Sequence, residues 1–370
     1  MKLTATPVYL RDTVLRMLPH RAATGLFTVG TPTRHSPVLV TGNFTLTVRR
    51  LRAVLHGRDL WLLVADSQGI NIWCAASGGH FTHHSIIAAV RATGLADKVG
   101  HREIILPQLC ATGVERRRIT QTTGFSTRWG PARLEDIPAF LDRGQRLHKA
   151  DRFMRFPLWE RLEMASMWGV PILFIAVPLL AWLSGSSTAL AVGFALAAMV
   201  FALFALLPSL AIKGGRRYLT FAGFAAAAAL LGAGGLAAFG LATGGHLVAV
   251  AATCFAAIAL LSVDLAGTTP WYDSDVHTLL NPIAVELVLE RCTGAAECVQ
   301  VCPRAVLKMN GRGRQVEIVR PDQCIRCGAC VVQCPEDALR FRAADGGVIE
   351  AATIRTTRMN MLGQRTIQVP

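Results

Sequence analysis

Seven of the ten cysteines fall between Cys292 and Cys334. Their spacing is that of metal ligands rather than of a secreted disulfide framework. The run Cys324-Ile-Arg-Cys327-Gly-Ala-Cys330-Val-Val-Gln-Cys334-Pro335 fits C-x2-C-x2-C-x3-C-P without a mismatch. Three thiolates at this spacing wrap one cubane iron–sulfur cluster, and the fourth reaches a neighbouring cluster. Zinc sites lack the four-cysteine run with its trailing proline. An earlier half, Cys292-Thr-Gly-Ala295-Ala-Glu-Cys298-Val-Gln-Val-Cys302-Pro303, repeats the frame with one loss, since Ala295 stands where the second cysteine belongs. The crossover assigns Cys302, Cys324, Cys327 and Cys330 to one complete [4Fe–4S] cluster. It assigns Cys292, Cys298 and Cys334 to a second. With three thiolates that site is expected to hold a [3Fe–4S] cluster, or a [4Fe–4S] cluster whose fourth iron takes water or Glu297; the bland alternative is an empty site.

These motifs define an α+β bacterial dicluster ferredoxin domain over residues 268–345, followed by a C-terminal tail, 346–370. Between the half-repeats, Asn310-Gly311 predicts a hairpin joining Val306–Met309 to Gln315–Val319. Thiolates kept for iron imply a reducing compartment, so this end is expected in the cytoplasm.

The middle of the chain is of another kind. Only 17% of residues are charged and the mean hydropathy is +0.40, high for a soluble protein. Met164 to Ile212 contains no Asp, Glu, Lys, Arg or His, and Tyr218 to Val263 contains only His246. Such stretches exceed the roughly 20 residues a helix needs to cross a bilayer. Four spans are expected, near 166–183, 188–212, 218–240 and 246–263. The breaks are Ser184-Gly-Ser-Ser187, Lys213-Gly-Gly-Arg-Arg217 and Gly244-Gly-His246. Arg146 to Glu163 reads as a basic, aromatic-containing interfacial helix that opens a membrane domain over 146–267. Basic residues flank the first span and the loop between the second and third. The positive-inside rule then puts both soluble ends on the cytoplasmic side of the inner membrane. Alanine and glycine in the spans favour close packing, and the absence of buried charges favours an anchor over a transporter. The net charge of +14 is spread through the first domain and beside the spans, which suits anionic lipid rather than nucleic acid. Met1 to Gly25 shows no apolar core of signal-peptide length.

The first domain, 1–145, alternates short apolar runs with helical patterns. Val38–Val40, Leu60–Ala65 and Ile104–Leu106 are strand candidates. Helices are expected through Val48–Leu55, Ile86–Arg91, Val114–Thr120 and Leu134–Leu141. This βα alternation predicts a Rossmann-like α/β fold with a mostly parallel sheet and ligands beyond the carboxyl ends of the strands. One string stands out, Gly69-Ile-Asn71-Ile-Trp73-Cys74-Ala-Ala-Ser77. From chemistry alone a single cysteine beside tryptophan on an apolar stretch reads first as packing and second as a ligand. Cys110 and Cys254 read as packing residues. His80, His83 and His84 read as a polar helix start capped by Thr82, with a metal site as the sharper alternative.

The string resembles the cap-helix motif Asn-(Val/Ile)-Trp-Cys-Ala-(Ala/Gly)-Gly-Lys of the mercury-methylating corrinoid protein family. The likeness extends to Ser36-Pro-Val-Leu-Val-Thr41-Gly-Asn43-Phe and Leu60-Trp-Leu-Leu-Val-Ala-Asp66 before it. After it come His101-Arg-Glu-Ile-Ile-Leu-Pro107-Gln108-Leu, Thr123-Gly-Phe and Trp129-Gly-Pro-Ala-Arg-Leu-Glu-Asp-Ile-Pro138. The order of corrinoid domain and membrane helices is also similar, and the C-terminal module resembles that family's separate ferredoxin partner, here fused. The resemblance implies a cobalt corrinoid of the cobalamin type with Cys74 as lower axial ligand. Asn71, Trp73 and Ala75 would line the cap, with Thr41, Asn43, Pro107 and Gln108 as further contacts. A thiolate trans to a carried methyl group pushes electron density toward it and eases its transfer to an electrophile. The cobalt must then be reduced again, and a tethered ferredoxin supplies electrons at high effective concentration.

The activity implied by the resemblance is corrinoid-dependent methyl transfer to mercury(II). It would require a methyl donor protein or methylated folate, and a cellular electron donor. Three departures stand against it: Ser77-Gly78 replaces Gly-Lys, no cysteine follows Cys334, and Ala295 removes a cluster ligand. The alternatives are a corrinoid methyltransferase with another acceptor, and a membrane-bound ferredoxin-type subunit without corrinoid.

Overall fold

The computed structural model describes residues 7–210, 212, 215–263, 265, 269–271, 282–360 and 363–369, with side chains described from Arg11 onward. Two compact units emerge. One contains Leu18–Arg155 together with Thr268–Pro370, and the other contains Thr6–Met17 with Phe156–Gly267.

The first unit is built on a five-stranded sheet: β1 (Gly25–Val29), β2 (Val38–Gly42), β3 (Leu60–Ala65), β4 (Glu103–Leu106) and β5 (Ser126–Trp129). The spatial order is β1-β3-β2-β4-β5. β2 runs parallel to β3 (Val38 opposite Trp61) and to β4 (Leu39 opposite Ile105), and β4 runs parallel to β5. β1 is an antiparallel edge on β3, with Gly25 opposite Val64. Side chains alternate across the sheet, so each strand feeds two cores. Val38, Val40, Leu63, Ala65, Ile104 and Leu106 face helices Ile72–Gly78 and His83–Ala92. Leu39, Leu60, Leu62, Val64 and Ile105 face helix Thr45–Val54 and Phe140. Burial on both faces explains why β3 reads as an unbroken apolar run.

The expected strands over 38–40, 60–65 and 104–106 are present. The helix expected from Val114 starts at Arg116, and that over Leu134–Leu141 divides into a 3-10 turn, Leu134–Asp136, and a helix, Ile137–Asp142. β1 and β5 are additions to the expected strands, because Gly25–Val29 is half-buried almost throughout and Ser126–Trp129 carries little apolar signal.

The C-terminal part adds a three-stranded sheet of β6 (Ile283–Leu287), β9 (Leu339–Ala343) and β10 (Val348–Ile349), in the order β10-β9-β6. β7 (Leu307–Met309) and β8 (Val316–Ile318) form the expected hairpin. Its turn is closed by Asn310, whose N donates to Gln315 O (2.8 Å) and whose Oδ1 accepts from Arg314 N (3.1 Å). The segment expected as a tail is ordered: helix Ala351–Thr356 leads into paired strands β11 (Thr357–Met359) and β12 (Arg365–Gln368). Ala351 and Ile354 are buried against the module's core, which is why this stretch folds.

The second unit holds four helices, Leu158–Ser184, Ser186–Leu206, Arg216–Ala238 and Gly244–Ser262, long and apolar enough to cross a membrane. Their positions agree with the four expected spans. Lys213 and Gly214, in the basic loop, lie outside the described residues. Small residues set the packing: a Cβ on Gly232 would lie 2.9 Å from Val250 Cγ1, and one on Gly193 2.9 Å from Val177 Cγ2. The interfacial helix over 146–163 does not form as one element. Ala150–Arg152 is a 3-10 turn, Phe153 is extended, and the helix begins only at Leu158. Pro157, the N-cap of that helix, accounts for this, since its ring disfavours the helical region at the residue before it.

Candidate functional site

The cysteine-rich segment has an internal symmetry with an offset of 32 residues, the distance from Cys292 to Cys324. Cys298 and Cys330 lie at equivalent positions on two short helices, Glu297–Val301 and Ala329–Gln333, and Cys302 and Cys334 end them. Each helix starts after a left-handed residue, Ala296 (φ 60°) or Gly328 (φ 82°). Ala305 (φ 48°) and Asp337 (φ 51°) repeat the pattern beyond the helices. Val306 N donates to Cys302 Sγ and Ala338 N donates to Cys334 Sγ, both at 3.3 Å. Amides aimed at sulfur stabilise the thiolate form and tune a bound cluster.

Cys302, Cys324, Cys327 and Cys330 line one cavity together with Arg304 and apolar residues such as Val285, Val306, Leu307 and Phe341. These are the four thiols that the crossover assigns to a complete cluster. Burial pushes the Cys327 thiol up to about 12. Cys298 is likewise pushed up to about 12, first by burial and then by the charges of Cys334 and Cys292. Thiols so placed need a cationic centre to become thiolates, which iron supplies. Among the described residues no three His, Cys, Asp or Glu side chains are arranged around a single metal ion. Glu297, the expected carboxylate alternative at the second site, is engaged elsewhere, accepting from Arg116 Nη1 at 2.7 Å.

At the other candidate site the carboxyl ends of β2, β3 and β4 lie on one side of the sheet, because these strands are parallel. The cap helix, Ile72–Gly78, follows β3 there. Asn71 is its N-cap, with Oδ1 accepting from Trp73 N (3.0 Å), and Gly79 at φ 87° ends it. Ile72, Ala75 and Ala76 face the core, whereas Trp73 and Cys74 are partly exposed. The expected contacts thus separate. Asn43 Oδ1 accepts from Ser67 N (2.9 Å), Ser67 Oγ (3.1 Å) and Gly69 N (2.9 Å), pinning the turn into the cap helix. Thr41 is buried at the end of β2, donating to Gly42 O (3.3 Å). Pro107 caps the 3-10 turn Gln108–Thr112. Gln108 donates to Arg152 O (3.0 Å), and its Oε1 is buried without a partner among the described residues. Thr41, Asn43, Ala75 and Gln108 are buried and build the platform, and Trp73 and Cys74 are half-buried on it, Trp73 packing against the core. Cys74, half-buried on the helix that follows the carboxyl end of β3, carries a soft donor of the kind a corrinoid's cobalt accepts. The unpaired Gln108 Oε1 suits the amide groups at a corrin's rim.

The two sites share a core. Val301, Cys327 and Ala329 belong to the same apolar cluster as Ile72, Ala75, Ala76 and Cys110. Gln333, buried, donates from Nε2 to Ala111 O (2.8 Å) and Val114 O (2.7 Å). Arg358, 1% exposed, reaches Gly113 O (3.1 Å) while donating to Arg355 O (2.7 Å), Thr357 O (2.8 Å) and Ile354 O (3.2 Å). Sequence reasoning missed Gln333, Arg358 and Arg365, since nothing in their spacing marks them.

Cys110 is fully buried, with its thiol raised by burial, and packs as expected. Cys254 is also buried. Thr82 caps helix His83–Ala92. His83 departs from the expected polar helix start, because it is 3% exposed with neither ring nitrogen bonded among the described residues. Burial and the neighbouring His84 push it down to about 4, so it is neutral at physiological pH.

Residues 284–336 match the family described as 4Fe-4S dicluster domain. The acetyl-CoA decarbonylase/synthase complex subunit gamma of Methanopyrus kandleri is 33% identical over 127 residues, 34% of this chain and 27% of that protein. The corresponding subunit of Methanocaldococcus jannaschii is 34% identical over 125 residues, 33% of this chain and 25% of that protein. That of Methanosarcina acetivorans is 30% identical over 146 residues, 38% and 31%. The chain thus spans between a quarter and a third of the length of these relatives. Residues 12–141 match the family described as CO dehydrogenase/acetyl-CoA synthase delta subunit, so one polypeptide joins a domain similar to that family to a 4Fe-4S dicluster domain.

Proposed function

We propose that this chain is a membrane-anchored corrinoid protein that transfers a methyl group to mercury(II) and carries its own electron donor. The observation that supports it most directly is the shared core: Cys327 and Ala329 belong to the same apolar cluster as Ile72, Ala75 and Ala76 of the helix that carries Cys74. A corrinoid held there supplies a metal that accepts and releases a methyl group once it has been reduced. Cys74 would hold the corrinoid's cobalt through its thiolate, and Trp73 and Ala75 would line the cap beside it. Asn71 fixes the helix start, and Asn43, Thr41 and Gln108 hold the platform. Cys302, Cys324, Cys327 and Cys330 hold one cluster, and Cys292, Cys298 and Cys334 hold the other. The four apolar helices anchor the protein in the cytoplasmic membrane with both soluble parts inside the cell. A methyl donor protein or methylated folate loads the site, and a cellular reductant feeds the clusters.

The similarity of residues 12–141 to acetyl-CoA decarbonylase/synthase subunits favours a second reading of the acceptor, as does the lack of any cysteine after Cys334. In that reading the methyl group passes to an ordinary one-carbon acceptor. The test is protein purified without oxygen from corrinoid-supplied cells, analysed for cobalt, iron and visible spectrum. It is then given a methyl donor with mercury(II). Cobalt in step with protein, and methylmercury that disappears in Cys74→Ala, is the expected result. A loaded corrinoid without methylmercury moves the acceptor to the second reading. Iron without cobalt refutes the corrinoid assignment and leaves a membrane ferredoxin.

A further inference from the structure

Arg365 opens β12, beyond the segment that matches the dicluster family. Its Nη2 donates to Cys327 O at 2.8 Å and its Nη1 to Thr357 O at 3.3 Å. The approach requires glycine at position 328: the residue has φ +82°, and a Cβ there would collide with Nη2 of Arg365. The charged groups around the guanidinium are the Cys327 and Cys330 thiols and the guanidinium of Arg358. Among the described residues no carboxylate pairs with it. A guanidinium stays protonated at neutral pH, so this group carries a positive charge. The backbone of β12 is held by pairing with β11, so this charge is fixed relative to the cysteine loop.

We propose that Arg365 is a built-in cation that raises the reduction potential of the cluster held by Cys302, Cys324, Cys327 and Cys330. The physical reason is that a one-electron reduction adds negative charge to an already anionic, buried group without changing its ligands. A fixed positive charge a few ångströms away in a low-dielectric setting favours the reduced form. The second site, held by Cys292, Cys298 and Cys334, has no such contact with Arg365. The residue therefore spreads the two potentials apart and makes the cluster packed against the cap helix the favoured place for the electron.

This inference rests on the two-cluster reading, and one experiment separates their failures. The full-length protein in detergent is titrated with dithionite and redox mediators while the iron–sulfur signals are followed by electron paramagnetic resonance. Wild type is compared with Arg365→Gln and Arg365→Lys. The expected result is a shift of the four-thiol cluster to a more negative potential in the Gln variant, restoration in the Lys variant, and no shift in the second cluster. Unmoved or equally moved potentials would overturn the proposal. Loss of the cluster in the Gln variant would overturn it too, by making Arg365 a structural post. A wild-type protein without iron–sulfur signals would instead refute the cluster reading itself.

Discussion

Replacing Gln333 by leucine tests whether the dicluster module is docked on the cap-helix domain through the carbonyls of Ala111 and Val114. Leucine keeps the apolar volume of a buried site on helix Ala329–Gln333 but removes the group that donates to both oxygens. A buried acceptor left without a donor costs about 1–3 kcal/mol. Two are exposed to that loss, and the added apolar side chain offsets part of it, for a net cost of about 2 kcal/mol. The amides of Gly113 and Val114, which donate to Cys110 O at 3.0 and 2.9 Å, report opening of this contact. At about 1.4 kcal/mol per tenfold, their hydrogen exchange should speed up roughly 30-fold. Peptides from β1, remote from the contact, should exchange at the wild-type rate. A change below about threefold at Gly113 and Val114 would refute the reasoning, because a contact worth about 2 kcal/mol could not be removed so cheaply.

The second cluster should respond to Ala295→Cys, which restores the missing thiol: iron per chain should rise from about seven to about eight, with loss of the three-iron resonance signal. An unchanged iron count and spectrum would refute a three-iron cluster completed by a thiolate at position 295. His83 gives a pH signature. Its folded value, about 4, lies below the ordinary histidine value, so the unfolded chain binds more protons and stability falls as pH drops between about 6.5 and 4. The loss is at most about 3 kcal/mol, since each pH unit between the two values contributes about 1.4 kcal/mol. His83→Phe should flatten that part of the pH–stability curve, and an unchanged slope would exclude His83 as its source.

Much of the candidate site was legible along the chain because its chemistry is local. A cubane cluster takes thiolates with two or three residues between them, and the run from Cys324 to Cys334 can be read without a fold. The half-repeat was equally plain, and the structure adds matching left-handed residues and sulfur-directed amides at the same offset. Four apolar stretches of bilayer length are likewise a property of composition. The central parallel strands showed themselves because burial on both faces leaves them largely apolar, whereas at the sheet edges β1 is only half-buried and β5 carries little apolar sequence.

Long-range placement was not legible. Nothing in the order of residues says that Cys327 shares a core with Ala75, that Glu297 is taken by Arg116, or that a segment read as a tail returns to set Arg365 on the cysteine loop. Nor does it say that Asn43 spends its carbonyl on the turn after β3 rather than on a ligand. These depend on which backbone carbonyls and charges remain unpaired once the strands and helices have packed, and distant side chains then satisfy them. The sequence alone determined the cysteine spacing, the apolar spans and the alternation of the sheet, since each follows from spacing of a few residues. Only the tertiary structure decided that Cys327 joins the core of the cap helix and that Arg365 sits on its carbonyl, because those contacts join residues far apart along the chain.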